Sequence, residues 1–143
     1  GGIQGIGQVT VEDFGAAHPD CRIAMVTWWT LAPDALAELS KTGRFGTGHA
    51  CEFETSLMMA AGAIEPNIDL PTGEFFVPSH GWADSSMLHK SVGALYRSIR
   101  QISGGSGVIG RPDAATLEQG HKITMAVVRR LETVVTDLRQ MGQ

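Results

Sequence analysis

The last segment of the chain constrains the fold most. Between Gln119 and Gln140, the apolar residues Ile123, Val127, Val128, Leu131, Val134, Val135 and Leu138 share one stripe at helical spacing, while Lys122, Arg129, Arg130, Glu132, Asp137 and Arg139 lie elsewhere. An amphipathic helix draws most of its stability from burying such a stripe, so this pattern predicts a long helix packed on a sheet or a partner element. Upstream, Arg22 to Trp29 (RIAMVTWW) is a nearly continuous apolar run rich in branched and aromatic residues. Its pattern predicts a strand covered on both faces, as in a parallel sheet.

The intervening segments read mainly as helix. Val9, Val11, Phe14, Ala16 and Ala17 predict a helix that ends before His18-Pro19, because the residue preceding proline is pushed out of the helical region. Pro33 to Lys41 has a proline suited to a first turn, with Leu36 and Leu39 three residues apart. Glu52 to Ala63 places Phe53, Leu57, Met58, Ala60 and Ala61 at helical spacing, with Glu52 and Glu54 in the first turn, where the helix dipole favours anions. From Asn67 to about Gly110 the chain is irregular, punctuated by Pro71, Gly73, Pro78, Gly81, Gly104, Gly105 and Gly107. So long a connection usually serves a function. The alternation predicts an α/β layered fold with a mostly parallel sheet.

With 143 residues, 43% of them apolar, the chain has the size and composition of one globular domain, or of part of one, across residues 1–143. Eleven Lys and Arg against fifteen Asp and Glu, with no basic cluster, argue against a nucleic-acid partner. No apolar run reaches the roughly 18 residues of a membrane span, and the N-terminus lacks a signal-peptide pattern, so the expected location is cytoplasmic. Cys21 and Cys51 form no framework and are expected to be reduced thiols. The opening on Gly1-Gly2, without an initiator Met, leads to the expectation of a piece of a longer protein or a trimmed terminus.

Reactive side chains are densest in Gly46-Thr47-Gly48-His49-Ala50-Cys51-Glu52-Phe53-Glu54-Thr55-Ser56, a loop feeding a helix start. Small residues around His49 let a backbone or a substrate approach, and an imidazole there can donate or accept a proton near neutral pH. Glu54 can bind a metal, hold a metal-bound water or hydrogen-bond the loop that aims His49. Equally, both glutamates can be ordinary first-turn acids and His49 a loop residue satisfied by backbone.

The run His49-Ala50-x-Glu52-x-Glu54-Thr55-Ser56, followed by Leu57-Met58-Met59-Ala60, resembles the C-terminal signature of the creatininase (creatinine amidohydrolase) family. Gly1-Gly2, Met25 to Trp29, and Ser106 to Pro112 through Glu118-Gln119-Gly120 are similar to further family motifs in the same order. The resemblance implies the C-terminal portion of a three-layer α/β/α fold, two divalent metal ions (Zn, Mn or Fe), a hexameric assembly, and hydrolysis of a C–N bond in a small cyclic or formyl amide. It further implies that most metal ligands lie outside this chain, in an N-terminal portion of the same protein or a companion chain. Within that picture His49 passes a proton to the leaving nitrogen and Glu54 is a metal ligand or a carboxylate behind one. Trp29, Trp28 and Gly48 are the substrate-binding candidates. The chain departs from the pattern at Ile3, usually Asn, at Gly48, where many members have an acid, and at Cys51, often glycine. A non-catalytic assembly or small-molecule binding module of the same fold is the alternative.

Other candidates are weaker. His80, Asp84 and His89 have loop spacings that arise readily by chance, and Trp82 with Tyr96 suggests a surface that packs on another subunit. Ser79, Ser85 and Ser86 lack the strand-turn-helix context of a hydrolase nucleophile. Neither glycine-rich loop has the Gly-Lys-Ser/Thr ending of a phosphate loop.

Overall fold

A computed structural model describes residues 3–93, 95 and 97–141. The α-helices are α1 (Gln4–Ala17), α2 (Trp28–Leu31), α3 (Pro33–Leu39), α4 (Glu52–Ala60), α5 (Ile99–Ile102) and α6 (Leu117–Gln140), with 3-10 turns at Arg44–Gly46 and Pro112–Ala114.

The predicted mostly parallel sheet and three-layer α/β/α arrangement are corrected by this architecture. About half of the chain is helical, and the only β pairing among the described residues is an isolated antiparallel bridge between Thr47 and Gly110. Residues 21–27 carry no regular secondary structure, and Ile23, Met25 and Val26 are exposed. A strand needs neighbouring backbones to take up its N–H and C=O groups, and no described segment pairs with residues 21–27 in that way. Trp28 and Trp29, expected to close that strand, instead begin α2.

Helix boundaries follow local chemistry. Pro33 occupies the first turn of α3, and α1 stops at Ala17, ahead of the His18-Pro19 pair. The α4 helix is shorter than the Glu52 to Ala63 pattern suggests. It ends in a turn where the Ala63 N–H donates to the Met58 carbonyl (2.9 Å) and the Gly62 N–H to Met59 (3.0 Å), with Gly62 at φ +71°. Those paired bonds are a Schellman termination, for which glycine is the favoured residue. Thr116 caps α6 by accepting a hydrogen bond from the Gln119 N–H.

The core lies where α4 crosses α6. Leu36, Cys51, Phe53 and Ile123 are buried together, with Trp28, Trp29, Leu39, Leu57, Met87, Leu88 and Val127 packed around them. Gly120 makes the crossing possible, since a side chain there would overlap the Ser56 carbonyl. The long stripe of α6 is only partly buried: Ile123 is inside, whereas Val128, Leu131 and Val135 are exposed.

A polar knot accompanies this core. Glu52 is fully buried and accepts hydrogen bonds from Ser40 Oγ (2.9 Å), Thr42 Oγ1 (2.7 Å), Gln119 Nε2 (2.7 Å) and the backbone N–H groups of Lys41 and Thr42. Gln119 Nε2 also donates to the Leu39 carbonyl, and Ser56 Oγ donates to Gln119 Oε1 while accepting from the Thr116 N–H. One carboxylate thus ties α4, the residue 40–42 turn and the start of α6 together. Burial pushes its pKa up, but the Gln119, Thr42 and Lys41 donors outweigh that and hold Glu52 below the ordinary glutamate value. It is therefore a first-turn acid of α4 that is also an ionised core residue.

Candidate active-site loop

The loop around His49 is held from both sides. The Ile109 N–H donates to the His49 carbonyl (2.7 Å), the Arg111 N–H to Gly46 (3.0 Å) and the Met87 N–H to Thr47 (2.8 Å). Thr47 is buried, and its hydroxyl pairs with Ser86 Oγ at 3.0 Å. Downstream, Ala50 sits at φ +52°, the one non-glycine residue with positive φ among those described. Its N–H donates to Glu54 Oε2 at 2.5 Å, so the first turn of α4 closes back onto the loop. A strained backbone residue persists only where its surroundings hold it, and such residues cluster at functional sites.

This geometry brings His49 and Glu54 together. His49 Nδ1 lies 3.7 Å from Glu54 Oε2, an ion-pair distance longer than a hydrogen bond, and the two side chains are 48% and 34% exposed. Glu54 thus faces the imidazole and the Ala50 amide at once, while the ring stays accessible to solvent.

The remaining predicted site residues lie elsewhere on the same scaffold. Gly48 is buried, and a side chain there would press on Ile109, so its smallness serves a close backbone crossing. Trp28 and Trp29 are half-buried, meet edge to face at 5.6 Å and pack against the core cluster that includes Cys51 and Phe53. Cys51 is buried, and desolvation pushes its thiol up to about 11, which keeps it protonated and unreactive at neutral pH.

His80, Asp84 and His89 do not converge on a metal. His80 stacks on Trp82 with ring centroids 5.7 Å apart, and Asp84 accepts from Arg44 Nε at 2.6 Å and from the Ser86 N–H. Tyr96, grouped with Trp82 from sequence, and the Gly1-Gly2 pair lie outside the described residues.

Sequence reasoning missed the scaffold contributed by Ile109, Gly110 and Met87. Ser106 to Pro112 stood out only as a motif, and nothing in its composition signals that its backbone pairs with a loop some sixty residues earlier.

Among the described residues, no group of three or more His, Cys, Asp or Glu side chains is arranged to hold a metal ion. His49 and Glu54 offer two donors where a divalent ion takes about four or more ligands, so these residues do not compose a metal site on their own. No helix among the described residues is long and apolar enough to cross a membrane.

An accessible imidazole with a carboxylate 3.7 Å away, on a loop fixed by backbone hydrogen bonds, is chemically able to donate or accept a proton. Residues 1–135 match the model of the creatininase family, described as creatinine amidohydrolase, and the chain belongs to that family. The membership supports amide hydrolysis as the class of chemistry. No curated protein and no solved structure matches the chain.

Proposed function

We propose that this chain is the C-terminal portion of a metal-dependent amidohydrolase acting on a C–N bond in a small cyclic or formyl amide. The observation that carries the reading is the His49–Glu54 pair on its braced loop. With Nδ1 turned toward the carboxylate, Nε2 on the opposite edge of the ring is left for the substrate. In hydrolysis, water adds to the amide carbon and the C–N bond breaks. His49 supplies the proton that the departing nitrogen takes up and recovers one from the attacking water. Glu54 steadies the imidazole when it is charged and anchors the Ala50 amide.

Family membership makes metal dependence the expectation, with two divalent ions (Zn, Mn or Fe) held mostly by an N-terminal portion or a companion chain. Such ions, when bound, supply Lewis acidity to the amide carbonyl. A homo-oligomer, hexameric in this reading, agrees with the apolar residues that α1 and α6 leave exposed. The same exposed residues favour, as a second reading, a non-catalytic assembly role for this portion.

In the full-length protein, His49→Ala is expected to lower kcat about a hundredfold while leaving bound metal near normal. Unchanged turnover removes His49 from the mechanism. Glu54→Gln separates two roles: retained metal with reduced kcat fits a carboxylate that orients His49, and loss of about one ion per site makes it a ligand.

A further inference from the structure

The segment Ser106 to Arg111 has no part in the proton transfers, yet it grips the loop that performs them. Ile109 donates to the His49 carbonyl, Gly110 bridges Thr47, and Arg111 donates to Gly46, so three successive residues follow the loop backbone. The contact is tight because both segments at the crossing carry glycine. A side chain on Gly48 would reach within 2.7 Å of Ile109 Cγ2 and of the Ile109 carbonyl oxygen. A side chain on Gly110 would overlap the Gly46 carbonyl and come within 3.1 Å of Cys51 Cβ. Gly110 also holds φ +119°, a backbone conformation that L side chains rarely adopt. Neither obstruction is the flexible end of a long side chain: at Gly110 the neighbour is backbone, so the backbone must move.

The geometry points to Gly110 as a positioning residue for His49, acting through the Gly46–Ala50 backbone. This rests on the reading of His49 as the proton-transfer group. Displacing the Gly46 carbonyl pulls on the Ile109–His49 hydrogen bond, and the strained Ala50 turn passes the shift to the Ala50–Glu54 contact. Misplacement of a catalytic group by about 1 Å can cost on the order of a hundredfold in rate.

The test compares Gly110→Ala with Gly105→Ala in the full-length protein. Gly105 also has positive φ (+98°), but a side chain there meets nothing within 4 Å, so it shares the backbone strain without touching the loop. Gly110→Ala is expected to lower kcat at least about tenfold with KM nearly unchanged, and to accelerate hydrogen exchange at the Ile109 and Ala50 amides. Gly105→Ala is expected to lose stability but to keep kcat and slow exchange at both amides. Retained kcat in Gly110→Ala, or an equal loss in Gly105→Ala, overturns the proposal. Should Gly110→Ala fail to fold, hydrogen exchange in the unaltered protein decides: slow exchange at the Ile109 and Arg111 amides, which donate to the loop, is expected, and exchange there as fast as at an exposed, unbonded amide overturns the inference. If the unaltered protein hydrolyses no amide, the hydrolytic reading fails on its own, while the exchange comparison still decides whether Gly110 holds the loop.

Discussion

The α4–α6 crossing and α1 are both helical, but they are held in different ways. At the crossing, Phe53 and Ile123 are buried, Gly120 lets the backbones touch, and the Glu52–Gln119–Ser56 knot satisfies its polar groups. No buried side-chain polar atom among the described residues lacks a partner. By contrast, α1 buries no residue, and Ile6, Val9 and Phe14 on it are exposed, as are Ile23 and Val26 after it. A 14-residue helix that buries no residue has little tertiary support and is marginal in water. Helical pattern alone therefore does not make a stable element; close approach and internal polar anchoring do.

That contrast can be broken or sharpened by a mutation series read through urea unfolding. Phe53→Ala, which empties the centre of the core, is expected to cost about 4 kcal/mol. Next comes Glu52→Ala, expected to cost about 3 kcal/mol because several buried donors lose their acceptor. Glu52 also sets a pH dependence. Its folded-state pKa is depressed below 4.5, so its contribution is fully present above that value and is lost as pH falls below it. Glu52→Gln should flatten stability against pH in that acid range, and an unchanged acid profile would assign the dependence to other carboxylates.

Smaller effects follow. Gly120→Ala is expected to cost about 2 kcal/mol by forcing α4 and α6 apart. Ile6→Ser should change stability by less than about 0.5 kcal/mol, as at an exposed surface position. A loss of several kcal/mol from Ile6→Ser would break the comparison, because it would mean that α1 packs on something in the assembled protein. Amide exchange offers a second measure, with α1 expected to exchange far faster than α4.

Much of the local structure was legible in sequence. His18-Pro19 marked the end of α1, Pro33 the start of α3 and the apolar stripe the course of α6, because each signal acts within a turn or two of itself. The His49–Glu54 pairing was also within reach, since five residues across a loop-to-helix junction bring two side chains together. The burial of Glu52 was not legible for the opposite reason. An acid in a first turn looks the same in sequence whether it faces water or five donors drawn from residues 40–42 and 119. Gly48 was valued for what could approach it, and its neighbour proved to be Ile109 from a distant segment.

By itself the sequence determined α1, α3, α4 and α6, the loop that presents His49 and the family to which the chain belongs. Tertiary structure alone decided that Arg22 to Trp29 forms no strand, that the first-turn carboxylate at 52 lies inside, and that residues 109–111 clasp the His49 loop. The physical reason is the reach of the hydrogen bonds. A helix satisfies its backbone within four residues, so its pattern is written locally. A strand, a buried carboxylate and a braced loop need partners from elsewhere in the chain, and only the folded structure says whether those partners arrive.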